Sequence, residues 1–511
     1  MATAAERAAG GLEAPARLQR RALGVPDLVF FIVAASAPLT VVAGGQAATY
    51  LVTGNKGLPI IFLPLALVLG LFAVGYAAMS RHVADAGAFY TYVTRGLGRV
   101  AGVGTAFGAL MAYNAMQLGI YGLFGVATAS FMSDKIGITM DWYWWCLIGG
   151  AIIAVLGVLQ VDLNAKVLAV LLILEIAVVA IFDFAILADP GPAGLTGTGW
   201  DPGEATDQAL GSALVFSVAA FVGFESAAIY SEEVRDPKRT VARATFIAVA
   251  SIGIFYALSS WFLANSVGPD VITNPNALVE GGFTTPDGAA PDPTTVLFIA
   301  GQDRLGAFWG DAASLLFCTS LFAALLSFHN AVARYFFALG RERVLPGVFS
   351  RVNRRTGAPM MGSITQTLIA LVVVGAFAIA DADPVLKLFT WLTNTGALGV
   401  LALMTVVSVA VVAYFRRNPD HGVGAWRTVI APIIAGILLL GILILGVTNF
   451  NVLITGMIDA PTDSASIILP LLLLGAGLLG MLVALAIRSV DPERYRMIGE
   501  RTAVERIEHV E

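Results

Sequence analysis

Long apolar segments that are almost free of charge recur along the chain and limit the folds it can adopt. The run from Leu28 to Asn55 contains no charged residue, and a helix needs about 20 apolar residues to cross the hydrocarbon of a bilayer. Of the 511 residues, 58% are hydrophobic and only 13% are charged, whereas a soluble chain carries about a quarter charged residues. The sequence therefore predicts a membrane protein with many spans.

Twelve segments have the length and composition of a membrane span. Each is expected to be a helix, because backbone groups in lipid must be satisfied within the segment and no alternating strand pattern competes. We number them spans 1 to 12 in chain order: 27–52, 58–80, 98–131, 142–160, 164–188, 208–230, 241–266, 307–338, 361–380, 385–414, 427–449 and 466–488.

The positive charges test this count independently. With the N-terminus in the cytoplasm, 26 of the 30 lysines and arginines fall on the cytoplasmic side, and only Lys56, Lys135, Arg304 and Lys387 fall outside. The positive-inside rule requires such a bias. We therefore expect an integral protein of the plasma membrane with both termini cytoplasmic. The first 25 residues contain no apolar stretch followed by a cleavage site, so we expect no cleaved signal peptide.

Spans 1 and 6 each carry an interruption at membrane depth. Span 1 contains VAASAPLT (Val33–Thr40), in which the proline removes a helix hydrogen bond and clashes with the preceding turn. Span 6 contains Gly223 and Glu225, and a carboxylate at that depth is costly unless it is paired, protonated or wetted. Spans 1–5 and spans 6–10 would form two units of opposite topology.

Interruptions at matching positions of two inverted halves indicate a transporter binding site. Unwinding frees N–H groups that suit a carboxylate, and C=O groups that suit an ammonium group or a cation. Such groups are tolerated at depth only where they line a cavity or meet a ligand. A proline kink that only bends span 1 is the alternative interpretation of the first interruption.

Three motifs resemble those of the amino acid–polyamine–organocation (APC) family of permeases. The family's signature is similar to FVGFESAAIYSEEVRDPKRTVARA (Phe221–Ala244). Its segment between spans 2 and 3 resembles AGAFYTYVTRGLGRVAGVGTAFG (Ala86–Gly108), and its segment leaving span 8 resembles HNAVARYFFALGRERVLP (His329–Pro346). The motifs occur in the family's order, and the likeness extends from about Val25 to Arg417.

The resemblance implies an all-α polytopic membrane fold with twelve transmembrane helices. Ten of them would form a five-plus-five inverted-repeat transporter core with broken helices 1 and 6, followed by two extra C-terminal helices. The implied units are a cytoplasmic tail 1–24, a first repeat 25–188, a second repeat 189–417, spans 11 and 12 within 418–490, and a cytoplasmic tail 491–511.

The resemblance also implies that substrate lies between the two breaks, with spans 3, 8 and 10 lining the path. Carried over by position, the substrate-binding residues are Ser36, Ala37, Pro38, Leu39, Phe221, Val222 and Gly223, with Ala219 where many members have an aromatic gate. Asn114 and Trp391 are candidate lining residues, for which hydrogen bonds between helices are an equal alternative. Many amino-acid-selective members have a Gly-Ser-Gly-like break in span 1, but this chain has Ala-Ser-Ala-Pro, with fewer free amides.

Two acidic residues in apolar surroundings are candidates for proton or ion coupling. Glu225 follows the break in span 6, and Glu175 lies near the middle of span 5, where a carboxylate usually faces the bundle interior. The alternatives are helix capping for Glu225 and a hydrogen bond to a neighbouring helix for Glu175. Proton-coupled members of the family often have a lysine at the position of Glu175. Asp183 and Asp311 lie nearer the outer ends of their spans and are expected to be solvated.

The sequence indicates transport and no other chemistry. The four histidines show no metal-ligand spacing, and no nucleotide-binding loop, nucleophile-and-base set or selectivity loop is visible. We expect no cofactor, metal, nucleic-acid partner or obligatory oligomer. The expected function is proton-coupled uptake of an amino acid or related organic amine by alternating access. The expected partners are this substrate, the coupling proton or cation, and membrane lipid. An amine or polyamine exchanger is the alternative, ahead of a passive channel or a membrane-embedded enzyme.

Overall fold

The computed structural model describes residues 24–83, 89–159, 161–206, 210–225, 234, 236–284, 291–353, 355–419, 422–455, 457 and 460–499. Regular structure in this part is helical, apart from an isolated bridge that pairs Thr284 with Pro291. The prediction of an all-helical membrane fold is confirmed. Most of the predicted tail 1–24, the end of the tail 491–511, and residues 86–88 and 226–233 of the quoted motifs lie outside the described residues.

Within the described residues, ten helices are long and apolar enough to cross a membrane. They are Val25–Thr53, Leu58–Ser80, Arg99–Ile136, Ala169–Ala188, Arg239–Val267, Ala307–Arg341, Met360–Ile379, Pro384–Arg417, Trp426–Thr448 and Ser464–Val490. Two shorter apolar helices, Trp142–Val158 and Leu210–Phe221, lie at the positions of spans 4 and 6. The total of twelve spans and the inverted repeat stay predictions.

The spans differ in their depth within the bundle. In span 1, 78% of the most apolar stretch is buried, compared with 17% in span 12. Span 1 contacts spans 5, 7 and 8, span 3 contacts spans 8, 10 and 12, and span 2 packs along span 7. Span 1 therefore lies in the interior, where its interruption is surrounded by other helices, and span 12 lies at the periphery.

Short helices lie between the spans. Phe89–Leu97 connects spans 2 and 3 and packs on span 10. The others are Thr198–Trp200, Pro202–Ala205, Pro269–Ile272, Pro275–Glu280, Thr295–Leu305, Gly347–Ser350, Phe450–Thr455 and Pro492–Met497. Trp261 Nε1 donates to the Thr196 carbonyl (2.8 Å). Arg304 Nη2 donates to the Ser266 carbonyl (3.2 Å). These bonds tie the described parts of the long loops 189–207 and 267–306 to span 7.

Gly96 lies where the helix Phe89–Leu97 meets span 10. A Cβ added at Gly96 would lie 2.2 Å from the carbonyl oxygen of Ala410, so only glycine permits this backbone contact. We expect Gly96→Ala to lower the free energy of unfolding by about 1–3 kcal/mol, the usual cost of overpacking, and to lower the melting temperature in detergent. Gly375→Ala is the matched control, because Gly375 in span 9 has open space around it and alanine favours the helix. An unchanged melting temperature for Gly96→Ala would contradict the close contact.

Candidate functional site

Span 1 is interrupted at the predicted position. The helix Val25–Ser36 ends where Ala37 adopts a φ of 48°. A helical turn, Pro38–Thr40, then leads into a π-helix, Val41–Gln46, before the α-helix resumes. A left-handed alanine costs about 1–2 kcal/mol, and the proline that follows it has no N–H. The interruption is therefore a local unwinding at a left-handed residue, whereas a proline kink would bend a helix whose residues stay right-handed.

Glu175 and Ser320 complete the hydrogen bonding at this break. The backbone of Leu39 lies beside the Glu175 carboxylate, and the N–H of Thr40 donates to Ser320 Oγ (3.3 Å). Ser320 Oγ also accepts from Thr40 Oγ1 (3.0 Å) and donates to Glu175 Oε2 (2.7 Å). Spans 5 and 8 thus supply the acceptors that the break in span 1 requires.

Span 6 is interrupted at Gly223, also as predicted. The helix Leu210–Phe221 ends, and Gly223 adopts a φ of 115°, which favours glycine over any L side chain. The N–H of Gly223 donates to Glu225 Oε2 (3.0 Å), so this carboxylate caps its own broken helix. Tyr113 on span 3 donates to Glu225 Oε1 (2.6 Å). Tyr76 on span 2 donates to the carbonyl oxygen of Glu225 (2.6 Å). Spans 2 and 3 therefore fix the second break.

The two breaks face each other. A Cβ added at Gly223 would lie 2.6 Å from the Cβ of Ala35, the residue that precedes Ser36. The carbonyl of Ser36 accepts from the hydroxyl of Tyr256 on span 7 (3.1 Å), and the centroid of the Tyr256 ring lies 6.3 Å from that of Phe221. The structure thus brings together the two groups of residues that the sequence assigns to one site.

Two buried carboxylates dominate the electrostatics of this region. Glu175 and Glu225 are each 1% exposed. Neither belongs to any of the ion pairs between described residues. A carboxylate away from water is stabilised by a proton or by a cation, because an unpaired charge is costly there. The region is therefore chemically suited to receive a proton or an ammonium group.

The predicted site residues fall into two sets. The set at the breaks consists of Ser36, Ala37, Pro38, Leu39, Glu175, Ala219, Phe221, Val222, Gly223 and Glu225. The second set is Asn114 and Trp391. Asn114 Nδ2 donates to the Leu110 carbonyl in its own helix (2.8 Å), and the Trp391 ring centroid lies 6.0 Å from Lys387 Nζ. Within the described part of the chain, no hydrogen bond from either side chain reaches a break, and their lining roles stay predictions.

Three tyrosines that hold the breaks were not among the predicted site residues. Tyr76, Tyr113 and Tyr256 each donate to a carbonyl or carboxylate oxygen of a broken span. A tyrosine inside an apolar span needs a partner for its hydroxyl, and that requirement is the sequence signal that would have identified them. Asn114 was predicted to line the site because of its polar amide, but it is the hydroxyl of the adjacent Tyr113 that donates to Glu225.

The expectation for Asp183 is wrong. Asp183 is not solvated but 9% exposed; one of its carboxylate oxygens accepts from Ser259 Oγ (2.8 Å), and the other has no partner among the described groups. Span 7 packs against span 5 on this side, and the sequence of span 5 alone does not reveal that cover. The expectation for Asp311 is confirmed, since its side chain is 49% exposed and pairs with Lys135 (2.7 Å).

Comparison with known proteins finds transporters. The amino acid permease family matches residues 23–487. The low-affinity putrescine importer PlaP of Escherichia coli (strain K12) is 24% identical over 372 residues, which cover 70% of this chain and 75% of the relative. The branched-chain amino acid permease BcaP of Bacillus subtilis (strain 168) is 24% identical over 449 residues, which cover 82% and 86%. The vacuolar cationic amino acid transporter 2 of Arabidopsis thaliana is 25% identical over 224 residues, which cover 44% and 30%.

The family match covers most of the chain, and the long apolar helices agree with it. The APC-like motifs quoted from the sequence lie inside the matched range. The chain is therefore an integral membrane protein that belongs to the amino acid permease family of APC transporters.

Proposed function

We propose that the protein is a secondary transporter that moves an amino acid or an organic amine through a site between the breaks of spans 1 and 6, by alternating access. Between these two substrate classes, the site favours an amine. The observation that carries this preference is that, at each break, an N–H group of a described residue is already bound by an internal group of the protein.

An α-amino acid brings a carboxylate, and free N–H groups at a broken helix are what would hold it. In span 1, Pro38 has no N–H, the N–H of Thr40 donates to Ser320, and the backbone of Leu39 lies beside the Glu175 carboxylate. In span 6, the N–H of Gly223 donates to Glu225. A substrate carboxylate would have to displace these bonds and would approach two groups of like charge, whereas an ammonium group would meet charges of opposite sign.

Coupling to a proton is proposed to run through Glu175. Its carboxylate accepts from Ser320 and lies beside the backbone of Leu39, so protonation would replace one acceptor position by a donor next to the broken backbone. A proton that binds one conformation more tightly shifts the equilibrium towards that conformation. We therefore favour proton-coupled uptake across the plasma membrane, with both termini in the cytoplasm as the positive-inside bias predicts.

The names of the relatives support both substrate classes. PlaP is a putrescine importer and BcaP is a branched-chain amino acid permease, so the family contains carriers of an amine without a carboxylate and of amino acids with one. The N–H groups that are already bound at the breaks are the feature of this chain that favours an amine over an amino acid as the substrate.

A matched pair of ligands tests the preference for amines. Putrescine and ornithine have the same diamine chain and differ by the α-carboxylate of ornithine. We expect putrescine to raise the melting temperature of the purified protein, because a ligand that prefers the folded state stabilises it, and to be taken up into proteoliposomes. We expect ornithine to bind at least about tenfold more weakly, which corresponds to about 1.4 kcal/mol.

Leucine serves as the neutral amino acid in the same assays. Tighter binding of ornithine or leucine than of putrescine would contradict the preference for amines and leave the proposed transport intact. Flux of every ligand that is linear in concentration and insensitive to any gradient would instead contradict secondary transport. The two failures are therefore distinguishable.

A further inference from the structure

A pocket of about 290 Å³ lies between the ends of spans 2, 7 and 11, and none of its lining residues belongs to either break. Arg81 follows the last residue of the helix Leu58–Ser80, and Trp426 and Arg427 begin the helix of span 11. The pocket is therefore at the level where apolar spans meet water, on the side that carries most of the positive charge of the chain.

The described residues that line this pocket carry positive charge only. Arg81 and Arg427 are exposed, and they are the two charged residues among the described residues that line the pocket. In the described part of the chain, neither guanidinium has a hydrogen bond or an ion pair. Guanidinium groups bind phosphate oxygens through pairs of parallel hydrogen bonds, so the pocket has the chemistry of a phosphate site.

The remaining walls of the pocket are apolar and open towards the surface of the bundle. Phe246 is 40% exposed and Trp426 is 51% exposed, and small residues of span 2, including Ala77 and Ala78, form the floor. Tryptophan is enriched where a membrane protein meets the lipid headgroups. Apolar walls beside two arginines suit a ligand that has both a phosphate and a hydrocarbon part.

We propose that this pocket binds an anionic phospholipid, with Arg81 and Arg427 as ligands of the phosphate and Phe246 and Trp426 in contact with the apolar part of the lipid. Basic pockets between membrane helices are known to take anionic headgroups. A zwitterionic lipid fits less well, because its cationic group would enter a pocket that already has two positive charges. Inorganic phosphate would leave the aromatic walls without a partner.

The test uses the full-length protein in a neutral detergent. Phosphatidylglycerol, phosphatidylcholine with the same acyl chains, and inorganic phosphate are added separately, and the melting temperature is measured together with lipid adducts in native mass spectrometry. We expect phosphatidylglycerol to raise the melting temperature more than either alternative. The double variant R81Q/R427Q should lose most of that difference and its phosphatidylglycerol adduct.

The matched control is R351Q/R355Q, which removes two exposed arginines from the same predicted side outside the pocket. The control should keep both the shift and the adduct. An equal shift with phosphatidylcholine, an equal shift with inorganic phosphate, or an undiminished phosphatidylglycerol shift in R81Q/R427Q would each overturn the proposal. If the double variant does not fold, R81Q and R427Q are tested singly, and each is expected to weaken the adduct.

Discussion

Uptake driven by a pH gradient is expected to collapse in a Glu175→Gln variant, while exchange of substrate across the membrane at equal pH continues. Glutamine keeps a side-chain oxygen that can accept from Ser320, which donates to the carboxylate in the wild-type protein, but it cannot bind a proton. Coupling between two ligands is typically worth about 1–3 kcal/mol, or roughly 5- to 150-fold. We expect the rate of gradient-driven uptake to decrease by a factor within this range.

Two controls separate loss of coupling from loss of structure. Asp311→Asn removes a carboxylate that is half-exposed and paired with Lys135, and this variant should keep its gradient dependence. Glu175→Ala removes the acceptor as well as the proton, so it should also lower the melting temperature, since a buried donor left unsatisfied costs about 1–3 kcal/mol. A Glu175→Gln protein that still concentrates substrate with a pH gradient would show that the coupling proton binds elsewhere.

The sequence predicted the spans and the places where two of them break. Long charge-free runs and the distribution of lysine and arginine are properties of single segments, so they can be read without knowing how the helices pack. The breaks are equally local, because Pro38 and Gly223 act on their own backbone. The structure accordingly interrupts spans 1 and 6 at Ala37 and Gly223.

The groups that satisfy the breaks could not be predicted in the same way. Thr40 and its partner Ser320 are 280 residues apart, and spans that are apolar on every side give no pattern to show which face meets a neighbour. For the same reason the sequence of span 5 does not show that Asp183 is buried, and the sequence of span 3 does not show that Tyr113 meets Glu225. Consecutive residues on a helix point about 100° apart, so an error of one position selects a different neighbour.

The contacts around the two breaks are reciprocal between the halves of the chain. Tyr76 on span 2 donates to a carbonyl of span 6, and Tyr256 on span 7 donates to a carbonyl of span 1. Span 3 reaches the span 6 break through Tyr113, and span 8 reaches the span 1 break through Ser320. The predicted inverted repeat would exchange spans 2 and 7 and spans 3 and 8. The exception is the carboxylate: at the span 6 break it comes from span 6 itself, as Glu225, whereas at the span 1 break it comes from span 5, as Glu175, which accepts from Ser320.

The second large effect is expected from Gly223→Ala. An added Cβ would lie 2.6 Å from the Cβ of Ala35, and the φ of 115° is unfavourable for any L side chain. Overpacking and backbone strain cost about 1–3 kcal/mol each. We expect a lower melting temperature and at least about a tenfold loss of transport, because a misplacement of about 1 Å at a functional site is enough for a large loss of activity. Gly70→Ala in span 2 is the control, since nothing lies within 4 Å of its added Cβ.

A double variant separates the two causes. Ala35→Gly removes the methyl group that the new side chain at position 223 would strike, at a cost of about 1 kcal/mol for a glycine within the helix Val25–Ser36. In the Gly223→Ala background it should restore part of the melting temperature, because it relieves the steric clash and leaves the strained φ in place. Full recovery of the melting temperature would mean that a side chain at position 223 does not strain the backbone there. No recovery of the melting temperature would mean that the close approach of the two breaks does not limit stability. Transport by Gly223→Ala at the wild-type rate would contradict a site that depends on contact between the two breaks.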